Sequence, residues 1–445
     1  MHILKKSWWT ETTESLARID YRLFGTLLLF GLLPTAYITV RINFLGNIPD
    51  SWGYNIASQL TWLNVSYEVV FEALMLPMFY LIGKHIGDSK HFNNTVSNAL
   101  VLTIALYLIL SAITIFAARP MIVFMLQEAH TVDATVSYIR LETVAIMLSA
   151  IVRLFTIIFI VIKRERILLI LLFVQLAASV LFDSLFISQL PISLEIGVNG
   201  IAFTNILVNI ILIGISVVAL RKASVRLFDR GFTIDFTWLK SWLRVGGLSG
   251  LENFVRNAAF ILMVLRLVNA VQQQGNFWVT NNFIWGWLLL PVLALGELIR
   301  RETAAEPESI RLQARGWFAL TTIIILIWII SIPFWDWFIS RIMNVAAVDV
   351  IVRLSLISLG FYVVFAYNNV MDSVFYGAGR TDLMLYQSLI VNIVFYGSAF
   401  ILYRRGVFTP DLTAIAIMFG LGIFLDSVIT YFMYRRFVQV RNTGS

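Results

Sequence analysis

There is no cysteine anywhere in the 445 residues. That excludes a disulfide framework, a thiolate metal site and a cysteine nucleophile. Histidine is nearly as scarce. His2, His85, His91 and His130 all fall in loops or at the ends of apolar runs, so no buried imidazole cluster is available for a metal. Charge is sparse as well: Asp, Glu, Lys and Arg make up 13% of the chain, against about a quarter in a soluble globular protein. The nucleotide-binding Gly-x-x-x-x-Gly-Lys-Ser/Thr loop is missing, which excludes ATP drive within this chain. "GAGRTD" does not supply the Gly-x-Gly-Asp of an intramembrane aspartyl protease. No enzyme chemistry is expected, and no cofactor beyond a coupling ion. The opening "MHILKKSWWTETTESLARIDYR" has neither a short apolar core nor a small-residue cleavage site, so the first span is expected to be retained.

What the chain does have is apolar length. Hydrophobic residues account for 59% of it and the mean hydropathy is +0.83. They cluster in runs long enough for helices that cross a bilayer, which takes roughly 20 residues each. The expected fold is an all-α membrane protein of twelve transmembrane helices in two pseudo-symmetric six-helix bundles. The spans are expected near 23–46, 53–83, 95–118, 132–162, 167–189, 196–220, 238–270, 275–300, 314–340, 348–378, 382–403 and 411–434. The organisation reads as an N-terminal segment 1–22, an N-lobe 23–220, a linker 221–237, a C-lobe 238–434 and a tail 435–445.

Arginine and lysine set the expected orientation. With the N-terminus inside, the outer loops hold only Arg119, Arg341, Arg404 and Arg405. Most other basic residues fall in inner segments, among them "KRER" at 163–166 and the linker "RKASVRLFDRG". This asymmetry follows the positive-inside rule and predicts an inner-membrane protein with both termini cytoplasmic. It also accounts for the net charge of +7 without a nucleic-acid partner. The expected partners are membrane lipids and a small-molecule or lipid-linked substrate, with the chain acting as a monomer.

The halves echo one another. "TVRINFLGN" late in span 1 lines up with "VLRLVNAVQ" late in span 7, which places Arg41 opposite Arg266. "SYIRLETVAIML" in span 4 resembles "VIVRLSLISLGF" in span 10. Parallel six-span repeats are a transporter architecture.

Polar residues at helical spacing then pick out candidate sites. Span 2 carries Ser58, Thr61, Asn64, Glu68 and Glu72; span 4 carries Glu142, Ser149 and Arg153. Gln175, Ser179 and Asp183 mark span 5, and Asn205 and Asn209 mark span 6. Span 7 has Glu252, Asn253, Arg256 and Arg266, span 10 has Asn368, Asn369 and Asp372, and span 12 has Asp426 and Thr430. Such stripes suit a hydrated chamber rather than lipid. Glu68 and Glu72, one turn apart with no Lys or Arg in their own span, are ion-coupling candidates together with Asp372. Pairing with Arg153 or Arg256 is the alternative. The substrate-cavity candidates are Arg41, Arg153, Asp183, Asn205, Glu252, Arg256, Arg266 and Asn369. Arg41 and Arg266 suit an anionic group through the guanidinium fork; an ion pair of Arg41 with Asp183 is the competing role. Pro34 and Pro77 remove backbone hydrogen bonds inside spans 1 and 2 and are hinge candidates, or else static bends.

In layout the chain resembles the multidrug and toxic compound extrusion (MATE) family, whose superfamily includes oligosaccharidyl-lipid and polysaccharide flippases. "LMLPMFYLIGKHIGDSKHFNNTVSNA" is similar to the family's end of span 2 and its inner loop, and "FYGAGRTDLM" to its Gly-rich loop after span 10. The resemblance implies V-shaped lobes, alternating access and export of amphipathic cations by H+ or Na+ antiport. The family's usual acid late in span 1 is replaced here by Arg41, and its acids in spans 7 and 10 fall nearest Asn257 and Tyr367. None of its usual cation ligands transfers residue by residue. Two functions therefore stand: a multidrug-type exporter of small amphipathic compounds, or a flippase or exporter of an anionic metabolite with an arginine-lined cavity.

Overall fold

The computed structural model describes residues 8–48, 52–83, 88–229, 232–234, 253–255, 257–306 and 308–443. Everything regular in them is helical. A ten-residue helix α1 (Trp8–Ala17) precedes α2 (Tyr21–Leu45), a short α3 (Trp52–Ala57), α4 (Leu60–Gly83) and α5 (Ser89–Phe124). Then come α6 (Val132–Val161), α7 (Glu165–Phe186), α8 (Asn199–Lys222) and α9 (Asn253–Ala270). The chain ends with α10 (Gln274–Leu288), α11 (Leu290–Ala305), α12 (Ser309–Ile342), α13 (Val348–Gly377), α14 (Asp382–Arg404) and α15 (Leu412–Thr443).

Ten of the described helices are individually long and apolar enough to span a bilayer, and α10 with α11 makes an eleventh span bent by 53°. Pro291, with no N–H to donate, stands just past the bend, which is the usual cause of such a kink. Helix α4, 24 residues long, fills the place of the second span. Together these are the twelve expected. Their edges differ at the arginine-rich ends. Helix α5 begins at Ser89 because Asp88 caps it, its carboxylate accepting from the N–H groups of Lys90 and His91. At 36 residues, about 54 Å, α5 outreaches a hydrocarbon core of about 30 Å. Large side chains such as Leu108, Ile113, Phe116 and Ile330 stand outward on these helices, as lipid-facing positions require.

The compact units do not coincide with the expected lobes 23–220 and 238–434. One unit comprises Met1–Thr39 with Asn276–Ser445, the other Val40–Gly275. The physical reason lies in side-chain contacts. In the first unit, Gly31 lets α2 approach Leu290, Gly286 meets Thr35, and the Trp287 indole donates to the Thr39 hydroxyl at 3.0 Å. In the second, Asn269 of α9 donates to Gln59 Oε1 at 3.0 Å and to the carbonyl of Met125 at 2.8 Å. The start of the first span thus packs with the later helices and α9 with the earlier ones. Pro34 lies inside a continuous α2, five residues before the unit boundary.

Each unit has its own core. Tyr138, Phe155, Phe159, Ile42 and Leu63 are fully buried in the second unit, and Trp317 and Phe375 in the first. Of the basic linker, the described residues are strapped to the start of α5. Asn93 Oδ1 accepts from Arg226 N, Ser97 Oγ from Phe228 N and Asn94 Oδ1 from Thr233 N, while Asn98 Nδ2 donates to Thr233 O. The polar "FNNTVSN" stretch therefore binds the chain's own backbone.

Candidate functional site

Among the described residues, each unit contains a cluster built on buried carboxylates. In the second unit four helices converge. Arg41, near the end of α2, grips Asp183 of α7 with both edges of its fork, Nε to Oδ2 at 2.8 Å and Nη2 to Oδ1 at 3.1 Å. The same Nη2 reaches Asn205 Oδ1 of α8 at 3.1 Å, and Asn205 Nδ2 donates to Glu142 Oε1 of α6 at 2.7 Å. Asp183 is fully buried and Glu142 nearly so. The second oxygen of Glu142 has no hydrogen-bond partner. Arg41 thus stands beside two acids, and its side chain supplies the positive charge that a buried carboxylate needs.

In the first unit, no Lys or Arg among the described residues is bonded to the cluster. Asn368 of α13 donates its Nδ2 to Asp372 Oδ2 at 2.9 Å and to Asp426 Oδ2 of α15 at 3.1 Å. The Thr430 hydroxyl reaches Asp372 Oδ1 at 3.5 Å, and the Gln387 amide of α14 lies beside both carboxylates. Asn368, Thr430 and Gln387 are buried; the two aspartates keep a small accessible area. The amide oxygens of Asn368 and Gln387 are buried without a partner. Among the described residues no Lys or Arg bonds either carboxylate. Arg300 acts on Asp372 only through space, its own guanidinium being taken by Glu297 at 2.7 Å and by the face of Tyr376.

The remaining candidates scatter. Glu68 pairs with Arg153 at 3.2 Å, with side chains 40% and 50% exposed, and Arg153 lies over the Phe71 ring. The side chains of Glu72 and Pro77, and the residues Glu252 and Arg256, lie outside the described residues. Arg266 does not join Arg41. It donates to the carbonyl of Phe124 at 2.7 Å and stacks on that ring, capping the end of α5. Asn369 donates to the carbonyl of Val292 at 2.9 Å and so ties α13 to α11. Gln387 was not singled out from the sequence, since a lone amide in an apolar run carries no periodic signal. Asp426 carried a signal, its four-residue spacing to Thr430, but its facing partner is set only by packing.

With this geometry in view, solved structures supply the comparison. The chain is similar to a multidrug resistance MATE family transporter of the MOP superfamily in an inward-facing conformation. The TM-score is 0.69 at 16% identity, over 98% of this chain and 99% of that one. The fold is that of the MATE transporters. An outward-facing structure of a multidrug resistance MATE family transporter matches with TM-score 0.65 at 15% identity, over 98% and 99% of the two chains. A MOP superfamily transporter from Pyrococcus furiosus, described as having a binding pocket of reverse polarity, matches with TM-score 0.66 at 15% identity, over 96% and 98%. By amino-acid sequence no family model and no curated protein matches. The MATE fold therefore accommodates both clusters: one with an arginine bonded to its acids, and one with carboxylates and surplus carbonyl oxygens and, among the described residues, no bonded Lys or Arg.

Proposed function

We propose that this protein is a secondary active transporter that exports small amphipathic or drug-like compounds by alternating access, coupled to antiport of H+ or Na+. It works as a monomer in the cytoplasmic membrane with both termini inside. The observation that carries the coupling is the Asp372–Asp426 cluster. Two carboxylates joined through one amide, with two further oxygens that lack donors, need a cation among them. A proton or a sodium ion meets that need, and an oxygen-only shell suits a hard cation. The Arg41 cluster answers the same need with a tethered guanidinium, so coupling is assigned to the first unit rather than to Glu68 of α4. Glu68, held by Arg153, serves packing in this reading.

The test is transport of a fluorescent amphipathic cation in proteoliposomes with separately imposed pH and sodium gradients. Asp372→Asn and Asp426→Asn should each abolish gradient-driven uptake while the protein remains folded, and Glu68→Gln should retain it. Full uptake by the double aspartate variant removes the coupling assignment.

A second reading, export of an anionic metabolite or flipping of a lipid-linked saccharide, draws on Arg41 and on the reverse-polarity neighbour. Arg41→Ala discriminates: it should weaken an anionic substrate far more than a cationic one if that reading holds. We favour the first reading because Arg41 is committed to Asp183 through both edges of its fork.

A further inference from the structure

The end of α9 and the turn after it carry a row of donors. Arg266 gives its Nε to the Phe124 carbonyl at 2.7 Å, and Asn269, three residues on, gives its Nδ2 to the Met125 carbonyl at 2.8 Å. Gln274 then donates to Gln127 Oε1 at 3.2 Å. All three seize the turn after α5, where Leu126 stands in the left-handed region with φ 60°. Asn269 also forms a reciprocal amide pair with Gln59, each side chain donating to the other's oxygen at 3.0 Å. Gln59, Gln127, Asn269 and Gln274 are all buried.

These bonds join spans that the repeat in the sequence places in different halves. Helix α9 opens the second half, while Gln59 and the turn after α5 belong to the first. Transport by rocking one repeat against the other requires bonds of this kind, made at one end of the spans, to break in the opposite state. Their chemistry suits them to breaking. Arg266 apart, every donor and acceptor is a neutral amide or a carbonyl, so parting strands no charge. The bonds lie at the end of α5 opposite its strap to the linker, where water replaces each partner as the helices separate. Gln274 Oε1 is buried without a partner, so the closed arrangement holds a polar group that opening would hydrate. The segment is jointed on both sides: the π-helical turn Ile261–Leu265 ends where Arg266 begins, and Gln272 after α9 has φ 56°. Gly275 completes the fit. A Cβ there would meet Asn55 Oδ1 and lie 3.0 Å from Tyr54 Cβ, so the turn rests flush on α3.

We propose that the end of α9 and residues 271–275 form a latch that holds the side away from the linker shut, and that lets go when that side opens. The latch rests on the alternating-access reading. Helix α9 packs with the earlier helices because the latch is closed, so the boundary of the second unit at Gly275 belongs to this state of the cycle.

Spin labels at Ala129→Cys and Gln272→Cys, both exposed and in a chain with no native cysteine, report the distance across the latch in full-length protein in nanodiscs. The labelled parent should show mainly the short distance. Asn269→Ala removes three of the bonds and should raise the ratio of long to short distance at least about tenfold. Gly275→Val removes no side-chain hydrogen bond but wedges the turn off α3, and should do the same. Asn55→Cys with Gly275→Cys then supplies the converse, since it replaces the atom that a Cβ at 275 would meet and brings two thiols together. Forming that disulfide should stop uptake of the fluorescent amphipathic cation in proteoliposomes. Reduction should restore it, which also shows that the variant is folded. Distances unchanged in both Asn269→Ala and Gly275→Val, or full uptake with the disulfide closed, would overturn the latch. Failure of the transport reading looks different: no uptake by the parent protein, with distances that still respond to the two variants.

Discussion

Arg41 sits where relatives of this architecture were expected to carry an acid, and its surroundings explain why an arginine is tolerated there. Its side chain is 13% exposed and that of Asp183 is 1% exposed, so the pair is largely out of water. Breaking such a pair leaves an uncompensated carboxylate, which typically costs about 3–5 kcal/mol. Arg41→Ala should therefore lower stability by about that amount in a detergent unfolding assay. Adding Asp183→Asn should recover most of the loss. The Glu68–Arg153 pair makes the contrast: half exposed, it should be worth no more than about 1 kcal/mol in a double-mutant cycle.

Asp88 offers a pH test at the same scale. Hydrogen bonds from the His91 backbone and ring, with its charge and the Lys90 N–H, hold this carboxyl below its ordinary value of 3.8. A depressed carboxyl contributes to the folded state above its unfolded value and loses that contribution as pH falls through the folded value. The protection factors of the Lys90 and His91 amides should hold from neutral pH down to about pH 4 and fall only below that. In Asp88→Ala they should be low throughout. Pro34 and Arg266 carry a further lesson at this scale. Their types were visible in the sequence, but whether a proline hinges or an arginine faces a cavity depends on neighbours that the sequence does not name.

Between elements, glycines decide how closely helices approach. A Cβ added at Gly377 of α13 would lie 2.6 Å from the Arg300 carbonyl and 2.7 Å from Thr303 Cβ, both fixed on α11. Gly377→Ala should cost about 1–3 kcal/mol, the range for overpacking. Gly360→Ala in the same helix meets nothing within 4 Å and should gain up to about 1 kcal/mol from helix propensity. Thermal unfolding of the two variants side by side tests whether the α11–α13 contact is set by that glycine. Gly296 makes the same contact next to Asn369, so the helix carrying Asp372 is held rigidly against α11. Among the described residues, π-helical segments Ile261–Leu265 and Val391–Tyr396 interrupt α9 and α14, and Ile284–Leu288 and Phe338–Ile342 end α10 and α12. Such turns recur at functional sites, and no composition signal announced them.

For the whole molecule, the twelve spans and the asymmetry of basic residues fix what can be asked about orientation. The chain has no native cysteine, so single cysteines report cleanly. Leu194→Cys, in the exposed loop between α7 and α8, should react with a membrane-impermeant maleimide added outside intact cells. Arg226→Cys, on the basic linker, should react only after permeabilisation. The reverse pattern would invert the topology.

Sequence alone determined the spans, since hydrocarbon leaves a helix no other way to satisfy its backbone, and that constraint is local to each run. It also determined that acids and arginines lie within those spans. Only the tertiary structure decided which of them meet: Arg41 with Asp183 and Glu142, Asp372 with Asp426, Arg266 with a carbonyl. Those partners lie tens to hundreds of residues apart, and helical periodicity gives a residue's face but not the helix opposite it. The unit boundary after Thr39 was likewise decided by packing, because small residues at 31 and 286 and the Thr39–Trp287 bond join segments that the repeat in the sequence assigns to different halves.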